Sequence, residues 1–161
     1  MKNDYKTNLD EGIYRIRKGE FEEAISYLNK SIQCKNDWEI SYFYRAVANQ
    51  ALENFDEAIL DYTKSIKLNP KMTDAYYNRA KILLERKDIQ HEDLLKIAQD
   101  LEIALAQDEN FIDALFAMDC VQKKLKKYDN ALFYLEKLLK LQPDAIHARA
   151  LKKLLLQEYL N

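Results

Sequence analysis

The chain contains only two glycines, two prolines and two cysteines among its 161 residues. So few glycines and prolines leave little material for hairpin turns or flexible linkers. No apolar run approaches the roughly 18 residues that a membrane-spanning helix needs, and the first residues lack the apolar core of a signal peptide. We therefore expect a cytoplasmic protein that neither spans nor binds a membrane.

The chain also has no large excess of charge of either sign, because 25 Lys and Arg residues nearly balance 27 Asp and Glu residues. A net charge of −2 gives no general attraction to nucleic acid or to an acidic membrane. Lys123, Lys124, Lys126 and Lys127 form the densest basic cluster, but no aromatic residues alternate with them for base stacking. We interpret this cluster as a solvated helix end, and we expect no nucleic-acid partner.

Patterns that carry catalytic or metal-binding chemistry are absent as well. His91 and His147 are 56 residues apart, and neither has a second metal ligand at helical spacing on its own helix. No glycine-rich phosphate loop is present, and no histidine lies near Cys120 in the sequence. The sequence thus predicts no enzyme, no catalytic residue, no metal site and no cofactor. Cys34 and Cys120 are expected to be small buried side chains and not a disulfide.

What the chain does contain is a phrase that recurs at a fixed distance. Residues 21–25 return 34 positions later as residues 55–59, and in weaker form as residues 128–132 after two further periods plus five residues. Ala, Leu, Ile, Lys, Glu and Tyr dominate the composition, which favours helices. A period of this length is typical of stacked helical pairs.

The alanines of this phrase fix the repeat boundaries. They predict a single domain over 1–161, with repeats at 5–38, 39–72, 73–111 and 112–145 and a last helix at 146–161. Pro70 and Pro143 stand where repeats end, because proline terminates a helix. In the third repeat, we expect helices over Tyr76–Leu84 and Ile97–Leu105, the second starting near Asp93. The five added residues fall near 87–91, in the turn between them, as either neutral drift or a partner contact.

The second repeat resembles the tetratricopeptide repeat, a 34-residue helix–turn–helix unit. Its matching residues are Tyr42, Ala46, Phe55, Ala58, Tyr62 and Pro70. The resemblance implies an all-α, right-handed helical-repeat solenoid of four helix–turn–helix units plus a C-terminal capping helix. It also implies a non-enzymatic module that binds a peptide or helix of a protein partner in a concave groove. The alternative is a homo-oligomeric structural protein that associates through its C-terminal helix or its groove.

In this family, the first helix of each repeat lines the groove. The resemblance therefore implies peptide-binding roles for Phe43, Tyr44, Val47, Tyr77, Asn78, Lys81 and Phe116. Phe43, Tyr77 and Phe116 could equally pack between neighbouring first helices. Family members that bind chaperone tails hold a terminal carboxylate with lysine, asparagine and arginine. Here only Asn78 matches that pattern, and Asp74 or Asp113 stands where a lysine is needed, so a chaperone tail is not the expected partner.

Two further expectations concern pairing and the last helix. Arg45 and Arg79 share one place in their repeats, and each should pair with an aspartate, Asp61 or Asp100, because half-buried arginines need such partners.

The last helix should be capped by Asp144 and should cover the fourth repeat with a stripe of apolar side chains. That stripe consists of Ala148, Leu151, Leu155 and Tyr159. Leu154, Leu156 and Leu160 exceed it and could meet a second molecule.

Overall fold

The computed structural model describes residues 4–159, and in that part of the chain all regular secondary structure is helical. The helices are α1 (Tyr5–Lys18), α2 (Phe21–Cys34), α3 (Glu39–Ala51), α4 (Phe55–Leu68), α5 (Thr73–Leu84), α6 (His91–Gln107), α7 (Ile112–Lys124), α8 (Tyr128–Leu141) and α9 (Ile146–Tyr159). Each predicted repeat contains two of them, and the all-α prediction is confirmed. No helix among the described residues has both the length and the apolar character that crossing a bilayer requires.

The third repeat completes its helical pair despite the added residues, as predicted. The connection between α5 and α6 covers residues 85–90, so His91 is the first residue of α6 and not part of the turn. The helix begins two residues before Asp93 because Gln90 and Asp93 form a reciprocal capping box. In that box, the backbone N–H of Gln90 donates to Asp93 Oδ2 at 3.2 Å.

The helices pack with their neighbours in sequence. Within repeats, α1 packs against α2, α3 against α4, and α7 against α8; between repeats, α2 contacts α3, α6 contacts α7, and α8 contacts α9. The chain divides into two compact units, Met1–Ile82 and Leu83–Asn161, each with its own core. The alanines that anchor the repeats, Ala24, Ala58 and Ala131, are completely buried in these cores.

One pair of helices approaches especially closely in the first unit. A Cβ built on Gly12 of α1 would lie 2.7 Å from Cγ of Leu28 on α2. Gly19 ends α1 with φ 77°, a left-handed conformation that glycine adopts without strain. The two glycines thus serve packing and turning, which lets α2 fold back against α1.

The expected arginine pairing is confirmed for Arg45. Its Nε and Nη2 donate to the two carboxylate oxygens of Asp61 at 2.8 and 2.7 Å, and its Nη1 donates to Asn29 Oδ1 at 2.6 Å. The Arg79 Nη1 donates to Thr63 Oγ1 at 2.9 Å. Pairing of Arg79 with an aspartate stays a prediction.

The cysteine expectation was only partly right. Cys34 and Cys120 are both free thiols, but Cys34 is exposed and Cys120 is half-buried. Cys34 is the last residue of α2, and its side chain reaches solvent there.

The last helix covers α8 with the predicted stripe. Ala148 and Leu155 are each 2% exposed and join the core of the second unit, with Leu151 packed beside them. The side chain of Tyr159, and Leu160, lie outside the described residues. The helix begins at Ile146, two residues after Asp144, whose carboxylate accepts a hydrogen bond from Arg149 Nη2 at 3.0 Å. Asp144 therefore stands before the helix and not at its capping position.

Candidate functional site

The turn between α4 and α5 and the first two residues of α5 together place four residues, 71–74, beside a half-buried face of α3. Asn69 ends α4, and the backbone N–H of Lys71 donates to Asn69 Oδ1 at 3.0 Å, which fixes the turn. A cavity of about 330 Å³ lies between this turn and α3, and we call it the α3–α5 cavity. Its lining is Ile40, Phe43, Tyr44, Lys71, Met72, Thr73 and Asp74.

The two aromatic residues of α3 form one wall of this cavity. The rings of Phe43 and Tyr44 meet edge to face with centroids 5.3 Å apart, and Phe43 also lies 5.8 Å from the ring of Tyr62. Phe43 packs against the core cluster that contains Tyr62, whereas Tyr44 packs against the cluster of α1 and α2. Both side chains are half-buried. Phe43 thus lines the cavity and also packs against the core, and its role in peptide binding stays a prediction.

Two other predicted site residues are engaged inside the first unit. Val47 is half-buried, packs against the same core cluster as Phe43 and does not line the cavity. Asn78 makes a side-chain hydrogen bond with the buried Tyr62 hydroxyl, which in turn donates to Gln50 Oε1 at 2.8 Å. Burial raises the pKa of Tyr62, and this effect exceeds the opposing effect of the Asn78 hydrogen bond.

The rim of the α3–α5 cavity carries one charge of each sign. Lys71 and Asp74 are both exposed, and the negative charge of Asp74 contributes to the raised pKa of Tyr62. Farther along α5, Tyr77 is half-buried and Lys81 is exposed. The surface is therefore apolar at its floor and close to neutral at its rim.

Phe116 belongs to the second unit. It is 40% exposed on α7, near the exposed Asp113. One turn beyond, Cys120 has a raised pKa because burial disfavours its thiolate. A thiol in this state is a poor nucleophile. The described residues hold no cluster of three or more His, Cys, Asp or Glu side chains that could bind a metal ion.

The sequence interpretation missed two features of the structure. Lys71, Met72 and Thr73 line the cavity but lie in the turn or at the start of α5, outside the helix positions that the resemblance implies. Asp119 occupies the place held by Gly12 and Ala46 in the first two repeats, and it is completely buried. The repeat alignment contained that second signal, because a charged residue stands where a small one recurs.

Comparisons with known proteins give the same family for two parts of the chain. Models of the tetratricopeptide repeat match residues 40–72 and 113–145. The small glutamine-rich tetratricopeptide repeat-containing protein of Dictyostelium discoideum is 37% identical over 67 residues, which are 42% of this chain and 20% of that protein. The tetratricopeptide repeat protein 4 homolog of the same organism is 28% identical over 123 residues, 74% of this chain and 30% of that protein. The chain thus spans less than a third of either relative.

Solved structures share the helical-repeat solenoid fold. A crystal structure of MamA protein superposes with a TM-score of 0.82 at 18% identity, covering 99% of this chain and 90% of that one. The first tetratricopeptide repeat domain of Spaghetti (RPAP3), bound to the HSP90 peptide SRMEEVD, has a TM-score of 0.67 at 20% identity and covers 76% of this chain and 94% of that one. With two repeat models matched and helical pairs in the predicted places, the chain belongs to the tetratricopeptide repeat family.

Proposed function

We propose that this chain is a non-enzymatic module that binds a peptide or helix of a partner protein at the α3–α5 cavity and along α5. The observation that carries the proposal is the cavity itself, whose wall contains the half-buried Tyr44 beside Phe43. Tetratricopeptide repeat proteins generally mediate protein–protein interactions, and the chain belongs to that family. Aromatic residues in partly desolvated pockets are frequent hot spots of binding.

The chemistry of the cavity favours an apolar anchor. Ile40, Phe43 and Met72 offer a floor for one buried side chain, while the Tyr44 hydroxyl can bond the backbone of the bound segment. The Spaghetti domain is bound to the HSP90 peptide SRMEEVD, which contains three acidic residues. In this chain Asp74 lies on the rim of the cavity beside Lys71, and its negative charge would repel the carboxylate of a bound peptide. We therefore propose a partner held by an apolar side chain, with Lys81 as a further contact for an acidic side chain.

Selection from a displayed library of random peptides, followed by affinity measurement on the full chain, tests this proposal. Replacing Tyr44 by Ala should weaken selected peptides by about 2 kcal/mol, which is about 30-fold. Tyr14→Ala is the matched control, because Tyr14 is 50% exposed on α1 and lies outside the cavity. It should leave the affinity within about 2-fold of the original.

Thermal melts separate loss of binding from loss of structure. The melting temperature of the Tyr44→Ala variant should stay close to that of the original chain. Asn78→Ala should lower the melting temperature, because Asn78 bonds the buried Tyr62, so it is a poor test of binding. The proposal is wrong if peptides bind well but Tyr44→Ala and Met72→Ala both leave their affinity unchanged.

Self-association is the second candidate function. Its supporting observation is that α9 leaves Ile146 77% exposed and Leu154 51% exposed. Sedimentation velocity over a range of concentrations tests it, and Leu154→Ser should dissociate any oligomer formed through this surface. A cytoplasmic location stays a prediction of the sequence.

A further inference from the structure

The last helix packs as the first helix of a further repeat would. Ala148 and Leu155 of α9 are buried in the cluster that includes Leu135 of α8. In the first unit, Ser41 and Ala48 hold the same places on α3 and are completely buried. Thus α9 contacts the preceding helix α8 in the register in which α3 contacts α2.

A repeated polar contact confirms this register. Lys152 Nζ of α9 donates to Glu136 Oε1 of α8 at 2.7 Å, and the two residues are 16 positions apart. Arg45 of α3 donates to Asn29 of α2, again 16 positions earlier. Arg45 also binds a second partner, Asp61, on the helix that follows it within its own repeat. Lys152 therefore has the place of Arg45 and makes the backward contact of Arg45.

The forward contact is different in α9. The face that α3 turns towards α4 includes Tyr42, Ala46 and Asn49, which are at most 8% exposed. The corresponding residues of α9 are Arg149, Lys153 and Leu156. Among the described residues, α8 packs against α9 but no helix takes the position that α4 takes on α3, and Leu156 is 39% exposed.

A cavity of about 320 Å³ occupies this open face. Its lining consists of Leu139, Arg149, Lys152, Lys153, Leu156 and Gln157. This lining is almost entirely apolar, so the three basic residues border the cavity with their aliphatic stems and hold their charges at its rim, and no carboxylate lines it. Just outside, Asp144 pairs with Arg149 and Glu136 pairs with Lys152, so the group as a whole keeps one positive charge. An occupant therefore needs apolar side chains for Leu139 and Leu156 and an acidic side chain for the cations.

We propose that this face, the α9 docking face, binds an amphipathic helix of a partner protein that carries an acidic residue where α4 carries Asp61. The bound helix would take the position relative to α9 that α4 takes relative to α3. Lys152 can accept this second partner because an ammonium group has three donors, just as Arg45 serves Asn29 and Asp61 together. This surface is separate from the α3–α5 cavity and does not depend on the function proposed for it.

A peptide with the sequence of residues 55–68 is the probe, because this segment fills the equivalent place on α3. An isolated helix of this length is marginal in water. The peptide therefore carries Leu60→Glu, and the new carboxyl group is joined to the native Lys64 by a side-chain amide that holds the helix. Both positions are exposed in α4, and circular dichroism confirms helicity before use. Fluorescence anisotropy of the labelled peptide then measures its binding to the full chain.

Matched variants show where the peptide binds. Lys152→Glu and Leu156→Ser should each weaken binding at least 10-fold. Leu154→Ser and Lys124→Glu are the controls, because both residues are exposed in the second unit and neither lines the cavity. A second peptide with Asp61→Lys should bind the original chain at least 10-fold more weakly and should regain affinity for the Lys152→Glu chain.

Three outcomes would overturn the proposal. The first is no saturable binding of the helical peptide at 1 mM, a concentration that corresponds to about 4 kcal/mol of binding free energy. The second is binding that Lys152→Glu and Leu156→Ser leave unchanged while both variants keep the original thermal melt. The third is a dimer of the original chain that Leu156→Ser dissociates, which would make a second copy the occupant.

Discussion

At the scale of the residue, one position in the first helix of each repeat shows how strongly packing limits side-chain choice. Gly12, Ala46 and Ala80 occupy it in the first three repeats and are all buried, and at Gly12 two helices come close together. In the fourth repeat it is Asp119, completely buried, with Lys123 Nζ 2.8 Å from Oδ2 but no well-aligned hydrogen bond to either oxygen within the described structure. Burial raises the pKa of Asp119 more than Lys123 lowers it.

We expect Asp119→Ala to raise the free energy of unfolding at pH 7 by about 1 kcal/mol, because it removes a buried, poorly bonded carboxylate. A raised pKa in the folded state means that folding favours the protonated form. The disadvantage of Asp119 is therefore full above its folded pKa and disappears as pH falls towards its unfolded value. Urea unfolding of both proteins at about pH 7 and about pH 4, close to the ordinary pKa of an aspartate, should show a smaller difference at the lower pH.

The Asp119 prediction has a clear contrary result. If Asp119→Ala lowers the free energy of unfolding at pH 7, then the pair with Lys123 contributes net stability and the argument from burial is wrong. Asp113→Ala is the control, because that carboxylate lies exposed on the same helix.

The Arg45–Asp61 pair should behave in the opposite way. Its bidentate geometry is good, and the two side chains are only 24% and 10% exposed. Asp61→Ala should lower the free energy of unfolding by about 2–3 kcal/mol, because Arg45 would remain half-buried without its carboxylate. The double replacement of Arg45 by Met and Asp61 by Ala should cost less than Asp61→Ala alone. Denaturant melts of the three chains decide, and equal losses in both variants would contradict the explanation.

At the scale of the element, the stability of a helix pair depends on how closely the two helices approach as well as on the apolar area that they bury. The turn at Gly19 brings α2 back onto α1. Because Gly12 has no side chain, the backbone of α1 can lie directly against the side chain of Leu28 on α2. The amphipathic pattern of α2 predicts which face turns inwards, because Ala24, Leu28 and Ser31 recur at helical spacing and are all buried. The pattern does not predict the distance between the helices, which the small side chains set.

Gly12→Ala should therefore destabilise the chain. Its new Cβ would lie 2.7 and 2.9 Å from two carbons of Leu28, so one helix must shift or Leu28 must leave its rotamer. The expected loss is about 1–3 kcal/mol, measured by urea unfolding. Adding Leu28→Ala should recover part of it if the clash is the cause. A Gly12→Ala chain as stable as the original would show that α1 adjusts freely.

At the scale of the whole molecule, stability in a repeat array is a sum of local contacts. The helix contacts within the described residues join near neighbours in sequence, and the chain divides into two compact units. Opening of one unit should then leave the other comparatively unaffected. The repeat spacing predicted a single domain over 1–161, and that single-domain assignment remains a proposal.

Hydrogen exchange on the Gly12→Ala chain tests this local behaviour. Exchange should accelerate most in α1, α2 and α3, where the disturbed contact and its neighbours lie. It should change little in α8 and α9, because these helices belong to the other compact unit. Equal acceleration across all helices would show that the chain unfolds as one cooperative body.

The candidate site was predictable only in part. The repeat register placed Phe43 and Tyr44 on one face of α3, and the structure brings both to the α3–α5 cavity. It also placed Asn78 on the binding face, but Asn78 bonds the buried Tyr62. A hydrogen bond between side chains on different helices depends on their separation, which a single-helix pattern does not contain.

The sequence by itself determined the number and type of the helices and their grouping into pairs, because helical periodicity, alanine spacing and terminating prolines act within a few turns of chain. It also determined the family. Only the tertiary structure decided that Lys71 and Met72 close a cavity, that Asp119 is buried, and that α9 leaves a cationic face open. These features arise where separate helices meet, and the distance and rotation between helices depend on side-chain packing that no local pattern records.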